Sequence, residues 1–282
     1  MIRLVLALLV LPGLASAQPY PDARRIVSVG GPVTELIFAL GAGDRVIARD
    51  TTSQFPEAVN DLPDVGYMRQ LSAEGVLSVN PDLIVTRDTA GPVEVLDQLR
   101  AAAIPLVEVH DGFSSEAVIA AMRTVGSALG LRPEGEALAR QAEADFAALA
   151  DDIAAGPQPR VMFVLSNQGG RLNVAGAGTG ADGIIALSGG VNVMAEAFQG
   201  YKIVSDEAII AAAPEVIVMM APTGNAEHDS RREGVMALPA ITQTPAGEAN
   251  ALVHVPGAAL GFGPRTAQFA RDLNTAFTAA VQ

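Results

Sequence analysis

The sequence predicts an α/β protein of two similar lobes with parallel-type sheets, joined by one long backbone helix, with a ligand cleft between the lobes. Three observations lead to this prediction. Short β-branched runs alternate with helical segments, the pattern of parallel strands covered by helices. One 14-residue pattern occurs twice, 133 residues apart. The segment 114–155 has helical periodicity, so we expect an N-terminal lobe at 18–113, a linking helix at 114–155 and a C-terminal lobe at 156–282.

The first lobe opens with a buried strand that runs into a helix. Residues 25–29 are rich in β-branched side chains and end at a Gly-Gly-Pro turn at 30–32. Helical spacing follows from Val33 to Leu40 and is closed by glycines. The further elements predicted in this lobe are a strand at Val46–Ala48, a helix at Ala73–Ser78, a strand at Leu83–Thr86, a helix at Val93–Ala103 and a strand at Pro105–Val109.

The linking segment follows a serine, Ser114, that can cap a helix N-terminus. Apolar residues then recur at helical spacing. A break is expected near Gly130–Gly135, after which helical character continues to about Ala155. A Gly-Pro-Gln-Pro sequence ends the segment, and a new strand begins at Arg160.

The second half repeats the first. The segments Ser72–Val85 and Ser205–Val218 share the pattern S-x-E-x-(V/I)-(L/I)-x-x-x-P-(D/E)-(L/V)-I-V, and a Gly-Tyr pair precedes each of them, at 66–67 and at 200–201. A match of this length indicates an internal duplication. Two related lobes place a cleft between them, where small-molecule sites are often found.

Composition excludes several functions. The chain has 18 Lys and Arg against 31 Asp and Glu, a net charge of −13, which argues against nucleic-acid partners. It has no Cys, so thiolate catalysis, disulfides and Cys-based metal sites are excluded. The Gly-rich run 176–181 loosely fits a dinucleotide-binding pattern but is better interpreted as an ordinary β–α turn. No nucleophile–base pair can be assembled, so we expect no enzyme. The three histidines, His110, His228 and His254, show no metal-binding spacing.

The N-terminus resembles an export signal. Residues 1–17 combine Arg3, an apolar stretch too short to span a membrane, and an Ala-Ser-Ala cleavage site that ends at Ala17. No Cys follows that could carry a lipid. We therefore expect a signal peptide at 1–17 and a periplasmic monomer that is not anchored to the membrane.

Three segments carry a family resemblance: Asp64–Gly75, Gly200–Lys202 and Gly261–Thr266. The chain resembles periplasmic substrate-binding proteins of the helical-backbone class, which serve ABC importers of haem, cobalamin and ferric siderophores, and these segments resemble the haem-binding branch. The resemblance implies that the protein captures ferric haem as its transported ligand. It also implies delivery to an inner-membrane ABC permease with its ATPase. The alternatives are a ferric-siderophore or cobalamin binder of the same class and, less favoured, an exported two-lobed enzyme.

Tyr67 is the haem-iron ligand that this resemblance implies. Ferric iron accepts phenolate oxygen, and a nearby cation helps the phenol to ionise. Arg69 is the local candidate for that cation, since it would share the face of Tyr67 in an extended stretch. The resemblance adds an arginine from the second lobe, for which Arg231 and Arg232 are the candidates. The alternative is an ordinary interfacial tyrosine.

Tyr201 holds the corresponding place in the second lobe. It could stack on the porphyrin, ligate a second haem or pack at the rim of the cleft, and the sequence leaves these three open. Among the histidines, His228 is the most plausible ligand because it shares a polar loop with Arg231 and Arg232.

Haem carries two propionates, which an acidic protein must meet with local positive charge. Arginine pairs well with carboxylates, so Arg69, Arg231, Arg232 and Arg265 are candidates. For Arg231 and Arg232, a solvated loop pair is an equally good interpretation. An apolar porphyrin slot could be lined by four methionines: Met68, Met219, Met220 and Met236. Met219 and Met220 end a predicted strand, so core packing is an equally good interpretation for these two.

Glu74 and Glu207 occupy matching positions in the repeated segment, near the start of a predicted helix. The resemblance implies that one such glutamate in each lobe docks on the two-fold permease. The alternative is a carboxylate stabilised by the helix macrodipole.

Overall fold

The computed structural model describes residues 19–154, 156–222 and 234–281. The predicted signal peptide at 1–17 falls outside these ranges, as do three of the candidate residues: His228, Arg231 and Arg232.

The N-terminal lobe is built on a four-stranded parallel sheet. The strand order is β2-β1-β3-β4, and β1 lies in the middle with Ile26 beside Leu83. The elements of this lobe, in chain order, are β1 at Ile26–Val29, α1 at Gly31–Ala39, β2 at Val46–Arg49, α2 at Ala73–Ser78, β3 at Leu83–Arg87, α3 at Val93–Ala101 and β4 at Leu106–Val109. Every strand and helix predicted in this lobe is present, with ends that differ from the prediction by at most two residues.

The C-terminal lobe carries a mixed sheet. Its strand order is β10-β9-β5-β6-β8, with the short β7 paired to β5. The strands are β5 at Arg160–Gln168, β6 at Arg171–Ala175, β7 at Val191–Asn192, β8 at Tyr201–Ile203, β9 at Val216–Met220 and β10 at Leu252–Val255. The helices are α6 at Gly180–Leu187, α7 at Asp206–Ala212, α8 at Pro239–Thr242, α9 at Pro245–Glu248 and α10 at Thr266–Ala280.

The expectation of a parallel sheet in this lobe holds only for part of it. Strands β5, β9 and β10 are parallel, whereas β6 pairs antiparallel with both β5 and β8. The physical reason is the two-residue turn at Gly169–Gly170, where both glycines have positive φ, 64° and 92°. Such turns join antiparallel strands, so the chain folds back at once instead of crossing over through a helix.

The segment 114–155 is a hairpin of two helices and not one continuous helix. α4 spans Ser115–Ala128 and α5 spans Arg132–Ala154, so only the 23-residue α5 is the long helix that was predicted. The chain reverses at Gly130, whose φ of +72° allows the Leu131 N–H to bond the Gly126 carbonyl at 2.7 Å. This left-handed glycine cap ends α4 at the break that the sequence indicated.

The hairpin joins the two lobes. α4 packs on α1 and β4 of the N-terminal lobe, and α5 packs on α10 of the C-terminal lobe. One apolar cluster runs through the interface, and it includes Leu36, Met122, Phe163 and Phe277, each at most 1% exposed. A shared core of this kind couples the lobes, because any large rotation between them would open it to water.

Both lobes build the repeated segment with the same hydrogen bonds, as expected of a duplication. Ser72 and Ser205 cap α2 and α7, each accepting a backbone N–H at 3.3 Å. At the other end, the guanidinium of Arg25 donates to the Val79 and Asn80 carbonyls. In the second lobe, Arg160 bonds the Ala212 and Ala213 carbonyls in the same way.

Within the described part of the chain, no helix is both long enough and apolar enough to cross a membrane.

We predict that Gly126→Ala destabilises the protein. A methyl group at 126 would lie 2.8 Å from the Gly135 Cα and 3.0 Å from the Leu131 carbonyl oxygen, both of them backbone atoms. Overpacking should outweigh the helix propensity that alanine gains, lowering the free energy of unfolding by about 1–2 kcal/mol. Urea unfolding measures this change.

Gly156→Ala is the matched control. Its methyl group would meet only the Asp152 and Ile153 carbonyl oxygens, at 3.9 and 3.6 Å, both ordinary contacts. A Gly126→Ala variant as stable as the wild type would show that the hairpin does not depend on this close approach.

Candidate ligand-binding cleft

A cleft of about 510 Å³ opens between the two lobes. This volume lies in the range of small-molecule sites. Its N-terminal wall is formed by the start of α1, the loop after β2 and the turn that begins at Tyr67, and its C-terminal wall by residues 256–269. Charged and aromatic side chains on these walls, together with one methionine, are Glu35, Phe55, Tyr67, Met68, Arg69, Arg87, Arg265 and Phe269.

Tyr67 is held on the cleft wall by the backbone around it. Gly66 has a φ of +100°, and its N–H bonds the Asp64 carboxylate at 2.7 Å. The Gln70 N–H bonds the Tyr67 carbonyl at 2.8 Å and closes a turn. The Tyr67 side chain therefore projects from a fixed turn and is left 38% exposed. A large aromatic residue that is neither buried nor fully solvated is available to a ligand.

Arg69 lies directly against Tyr67. Its Nη1 donates to the Tyr67 phenol oxygen at 3.0 Å, so the structure brings these two candidates together. Within the described ranges Arg69 has no carboxylate partner. A guanidinium that donates to a phenol stabilises negative charge on that oxygen. The pair thus combines an oxygen donor with a positive charge that no carboxylate in the described part of the chain neutralises.

Tyr201 is the first residue of β8 and lies within electrostatic reach of Arg69, but it is not among the residues that line the cleft. Burial raises the pKa of Tyr201 above its ordinary value, while bonds with the Thr179 hydroxyl and the Ala181 N–H and the charge of Arg69 oppose the shift. Its phenol therefore stays neutral at neutral pH. The two tyrosines differ in their partners, because the phenol of Tyr67 accepts a bond from a guanidinium, whereas that of Tyr201 bonds the Thr179 hydroxyl and the Ala181 N–H.

Arg265 lines the cleft, but two of its three guanidinium nitrogens already bond an internal carboxylate. Its Nε and Nη2 bond the two carboxylate oxygens of Glu35 at 2.9 and 2.7 Å. The guanidinium also stacks against Phe55 and Phe269, with its Cζ 3.9 and 4.9 Å from the ring centroids. The carboxylate that Arg265 meets in the structure is thus an internal one.

Arg87 is a cleft residue that sequence reasoning missed. It ends β3, and it forms an ion pair with Asp111. Burial and, after it, the charge of Arg69 lower the pKa of Arg87, Asp88 and Asp50 oppose the shift, and the net pKa is about 10. Arg87 therefore remains charged at neutral pH. The available signal was its position, because the carboxyl ends of parallel strands face such clefts.

Asp50 was also missed, although it organises the cleft wall. It is fully buried. One carboxylate oxygen accepts the Gly30 N–H and the Ser53 hydroxyl, and the other accepts the Thr52 N–H and hydroxyl, all at 2.6–3.0 Å. Asp50 thereby fixes the turn before α1 and the loop that carries Phe55.

Of the methionines, only Met68 lines the cleft among the described residues. Met219 is 1% exposed in the core of the C-terminal lobe, and Met220 and Met236 pack against buried clusters. The expected slot of four methionines is therefore wrong for Met219, which lies on a fully buried part of β9, and core packing is the better interpretation there. The Gly-rich run 176–181 is the expected β–α turn, in which Thr179 caps α6.

Two histidines fall in the described ranges, and both are exposed. His110 pairs with Asp88 at 2.8 Å through its Nδ1. Neither His110 nor His254 lines the cleft. The residues that the structure describes contain no group of three or more His, Asp or Glu that could hold a metal ion by itself.

Glu74 and Glu207 lie outside the cleft, exposed in the first turns of α2 and α7. The pKa of Glu207 is lowered by its own backbone N–H and by the Ser205 hydroxyl. Their local geometry is that of acidic residues at helix N-termini. Their matching positions in the two lobes follow from the duplication.

Comparisons with known proteins agree with this architecture. The curated vitamin B12-binding protein of Yersinia pestis (strain Pestoides F) is 27% identical over 216 residues, which cover 77% of this chain and 74% of the relative. Among solved structures, the periplasmic heme-binding protein RhuT from Roseiflexus sp. RS-1 superposes with a TM-score of 0.85 at 39% identity, covering 93% of this chain and all of that one.

Two further structures are similar. The periplasmic heme-binding protein BhuT, solved with two hemes, has a TM-score of 0.85 at 35% identity, covering 92% of this chain and 99% of that one. A periplasmic heme-binding protein from Pseudomonas aeruginosa has a TM-score of 0.82 at 32% identity, covering 92% and 94%. The family model for periplasmic binding proteins matches residues 26–259. The chain belongs to the periplasmic binding protein family.

Proposed function

We propose that this protein captures ferric haem in the cleft between its lobes and delivers it to an inner-membrane ABC importer. The observation that carries the proposal is the Tyr67–Arg69 pair, an exposed phenol bonded at 3.0 Å to a guanidinium on the wall of a 510 Å³ cleft. The protein acts as a carrier and not as an enzyme. The solved relatives named as heme-binding proteins support this choice of ligand.

The chemistry of the pair suits ferric haem. Haem iron is held by tyrosine in some proteins, where the oxygen is a phenolate. Arg69 can stabilise that phenolate by donating to it through Nη1, and its other guanidinium N–H groups can meet a propionate as well. Tyr67 is therefore the proposed iron ligand and Arg69 its supporting cation.

The remaining cleft surface suits the porphyrin ring. Phe55, Met68, Leu260 and Phe269 line it with apolar groups, which can cover a flat macrocycle. The propionates would meet Arg69 and the loop arginines, Arg231 and Arg232. Tyr201 is proposed to contact the ring from the opposite lobe.

Cobalamin is the second candidate ligand, because the curated relatives at 27% identity are vitamin B12-binding proteins. Ferric siderophores are the third candidate, because the class of binding proteins that the chain resembles also includes ferric-siderophore binders. Parallel titrations with haemin, cyanocobalamin and a ferric siderophore distinguish these three ligands. Binding is read from the absorbance difference spectrum of each ligand. Saturable binding of haemin with a ligated-haem spectrum supports the proposal, and binding of either other ligand in its place would contradict it.

Delivery requires export and a docking surface. We propose that the chain is exported to the periplasm with cleavage after Ala17 and works there as a monomer. Glu74 and Glu207 are the proposed docking residues, since matched carboxylates on two lobes can meet the two equivalent halves of a permease. The ATPase of the importer then drives transport.

We predict that Tyr67→Phe keeps the fold and loses most of the affinity for haemin. Phenylalanine preserves the ring and removes only the oxygen that is bonded to Arg69. The loss should be on the order of 100-fold, whereas Arg69→Leu, which removes only the supporting group, should cost about 10-fold. Titration with haemin, followed by absorbance, measures both.

Tyr20→Phe is the control, because Tyr20 lies outside the cleft. Tyr201→Phe should change the affinity only modestly at one haem per chain. An unchanged affinity and spectrum in Tyr67→Phe would exclude Tyr67 as the axial ligand.

We predict that reversing both docking charges, in Glu74→Arg with Glu207→Arg, leaves haemin binding intact and abolishes haem uptake. Exposed ion pairs are individually weak, so single alanine changes should reduce uptake only in part, while the double reversal sets like charges against each other. The measurements are haemin titration and uptake into vesicles that contain the reconstituted permease.

Glu94→Arg with Glu134→Arg is a matched control, because both glutamates are exposed in the first turns of other helices. Loss of haemin binding in the double reversal would assign Glu74 and Glu207 to the pocket. Uptake equal to that of the control would leave them as helix-terminal charges only.

A further inference from the structure

Four side chains connect the lobes across one side of the cleft. Glu35 on α1 and Phe55 on the loop after β2 come from the N-terminal lobe, and Arg265 and Phe269 come from the start of α10 in the C-terminal lobe. Each lobe thus contributes one charged and one aromatic residue. We infer that these four residues form an inter-lobe strut that fixes the width of the cleft around the ring of its ligand.

The contacts hold the Arg265 guanidinium on several sides at once. Two of its nitrogens bond the two carboxylate oxygens of Glu35 at 2.9 and 2.7 Å. Phe55 and Phe269, one from each lobe, lie at cation–π distance from its central carbon. A bidentate pair has a defined length and direction, and stacking on rings restricts the guanidinium further. Moving the lobes apart would break the contacts of Arg265 with Glu35 and Phe55 together, because both of these residues belong to the N-terminal lobe.

The pair is also shielded from water. The Glu35 side chain is only 11% exposed and that of Arg265 34%. A shielded ion pair is screened less by salt than an exposed one, and removal of one partner leaves the other charge without compensation. Among the described residues that line this cleft, Glu35 and Arg265 form the ion pair that joins one lobe to the other.

The backbone beside the strut is built for close approach of the lobes. A methyl group on Gly261 would lie 3.0 Å from the Pro32 side chain, and one on Gly263 would lie 3.3 Å from the Pro32 Cα. Between these glycines, Phe262 packs edge-on against Phe113, with ring centroids 5.4 Å apart. The segment Gly261–Arg265 therefore seats the second lobe directly on the start of α1.

This geometry gives the segment Gly261–Thr266 a role that the sequence did not predict. Arg265 was expected to receive a propionate, but the structure gives its paired donors to Glu35. Arg265 then acts on the ligand through the spacing of the walls. This part of the inference rests on the proposed haem-binding function, whereas the strut itself does not.

The first test measures the spacing of the lobes directly. Because the chain has no Cys, Gln98→Cys on α3 with Ala211→Cys on α7 places two exposed spin labels, one in each lobe. We expect a narrow distance distribution by pulsed electron paramagnetic resonance in the ligand-free protein. Glu35→Gln, which keeps the shape of the side chain and removes its charge, should broaden the distribution and shift it to longer distances.

Two variants accompany this measurement. Arg265→Lys keeps the positive charge but loses the bidentate bond to Glu35 and the planar stacking on the two phenylalanine rings. It should therefore broaden the distance distribution as Glu35→Gln does. Glu94→Gln removes the same charge from an exposed position on α3 and should change nothing. Distributions in Glu35→Gln and Arg265→Lys that match the control would overturn the strut.

The second test separates wall spacing from iron ligation. Glu35→Gln should lower the affinity for haemin and the affinity for metal-free protoporphyrin IX by a similar factor, about tenfold, because both ligands have the same ring. Tyr67→Phe should lower the affinity for haemin and leave the affinity for protoporphyrin IX unchanged. Glu35→Gln could displace the lobes and leave the affinity for protoporphyrin IX unchanged. That result would overturn the role of the strut in fitting the cleft to the ring. A wild-type protein that binds neither ligand would contradict the proposed function, and the spin-label distances would still decide the strut.

Discussion

The close crossing of α4 and α5 is the constraint on which the rest of the structure depends. Gly126 and Gly135 let the two helix backbones touch, and the hairpin then offers one face to each lobe. The apolar cluster that results runs without a break from Leu36 in the first lobe to Phe277 in the last helix. Two lobes on one core cannot swing freely, so the cleft between them exists before any ligand arrives.

In a cleft that is open before the ligand binds, the side chains that contact the ligand must already be held in fixed positions. Asp50 fixes the loop that carries Phe55, and the turn after Gly66 fixes Tyr67. The chain has a net charge of −13, yet arginines line this cleft. Arg87 and Arg265 are neutralised by internal carboxylates, whereas Arg69 is bonded to a phenol. Among the arginines described in this cleft, the one without a carboxylate partner is therefore Arg69, beside Tyr67.

Sequence patterns predicted local features well and spatial ones poorly. The alternation of strands and helices in the first lobe, the duplication and the break near Gly130 depend on nearby residues, and all are present. A short strand was expected at Leu172–Ala175, but its antiparallel pairing was not predicted because the signal at Gly169–Gly170 is only two residues long. The pairing of Arg69 with Tyr67 could be anticipated from their spacing, but the bond between Glu35 and Arg265 joins residues 230 positions apart. Arg87 and Asp50 become site residues only through the order of strands in the sheet.

The central claim is that a phenolate oxygen of the first lobe ligates ferric haem in a cleft that is already open. Resonance Raman spectroscopy of the ferric haem complex tests it most directly, with excitation in the phenolate-to-iron charge-transfer band. The account predicts enhanced phenolate modes together with a high-spin ferric iron, and their shift on incorporation of ring-deuterated tyrosine. A low-spin spectrum of histidine ligation, with no tyrosine-dependent modes, would contradict it.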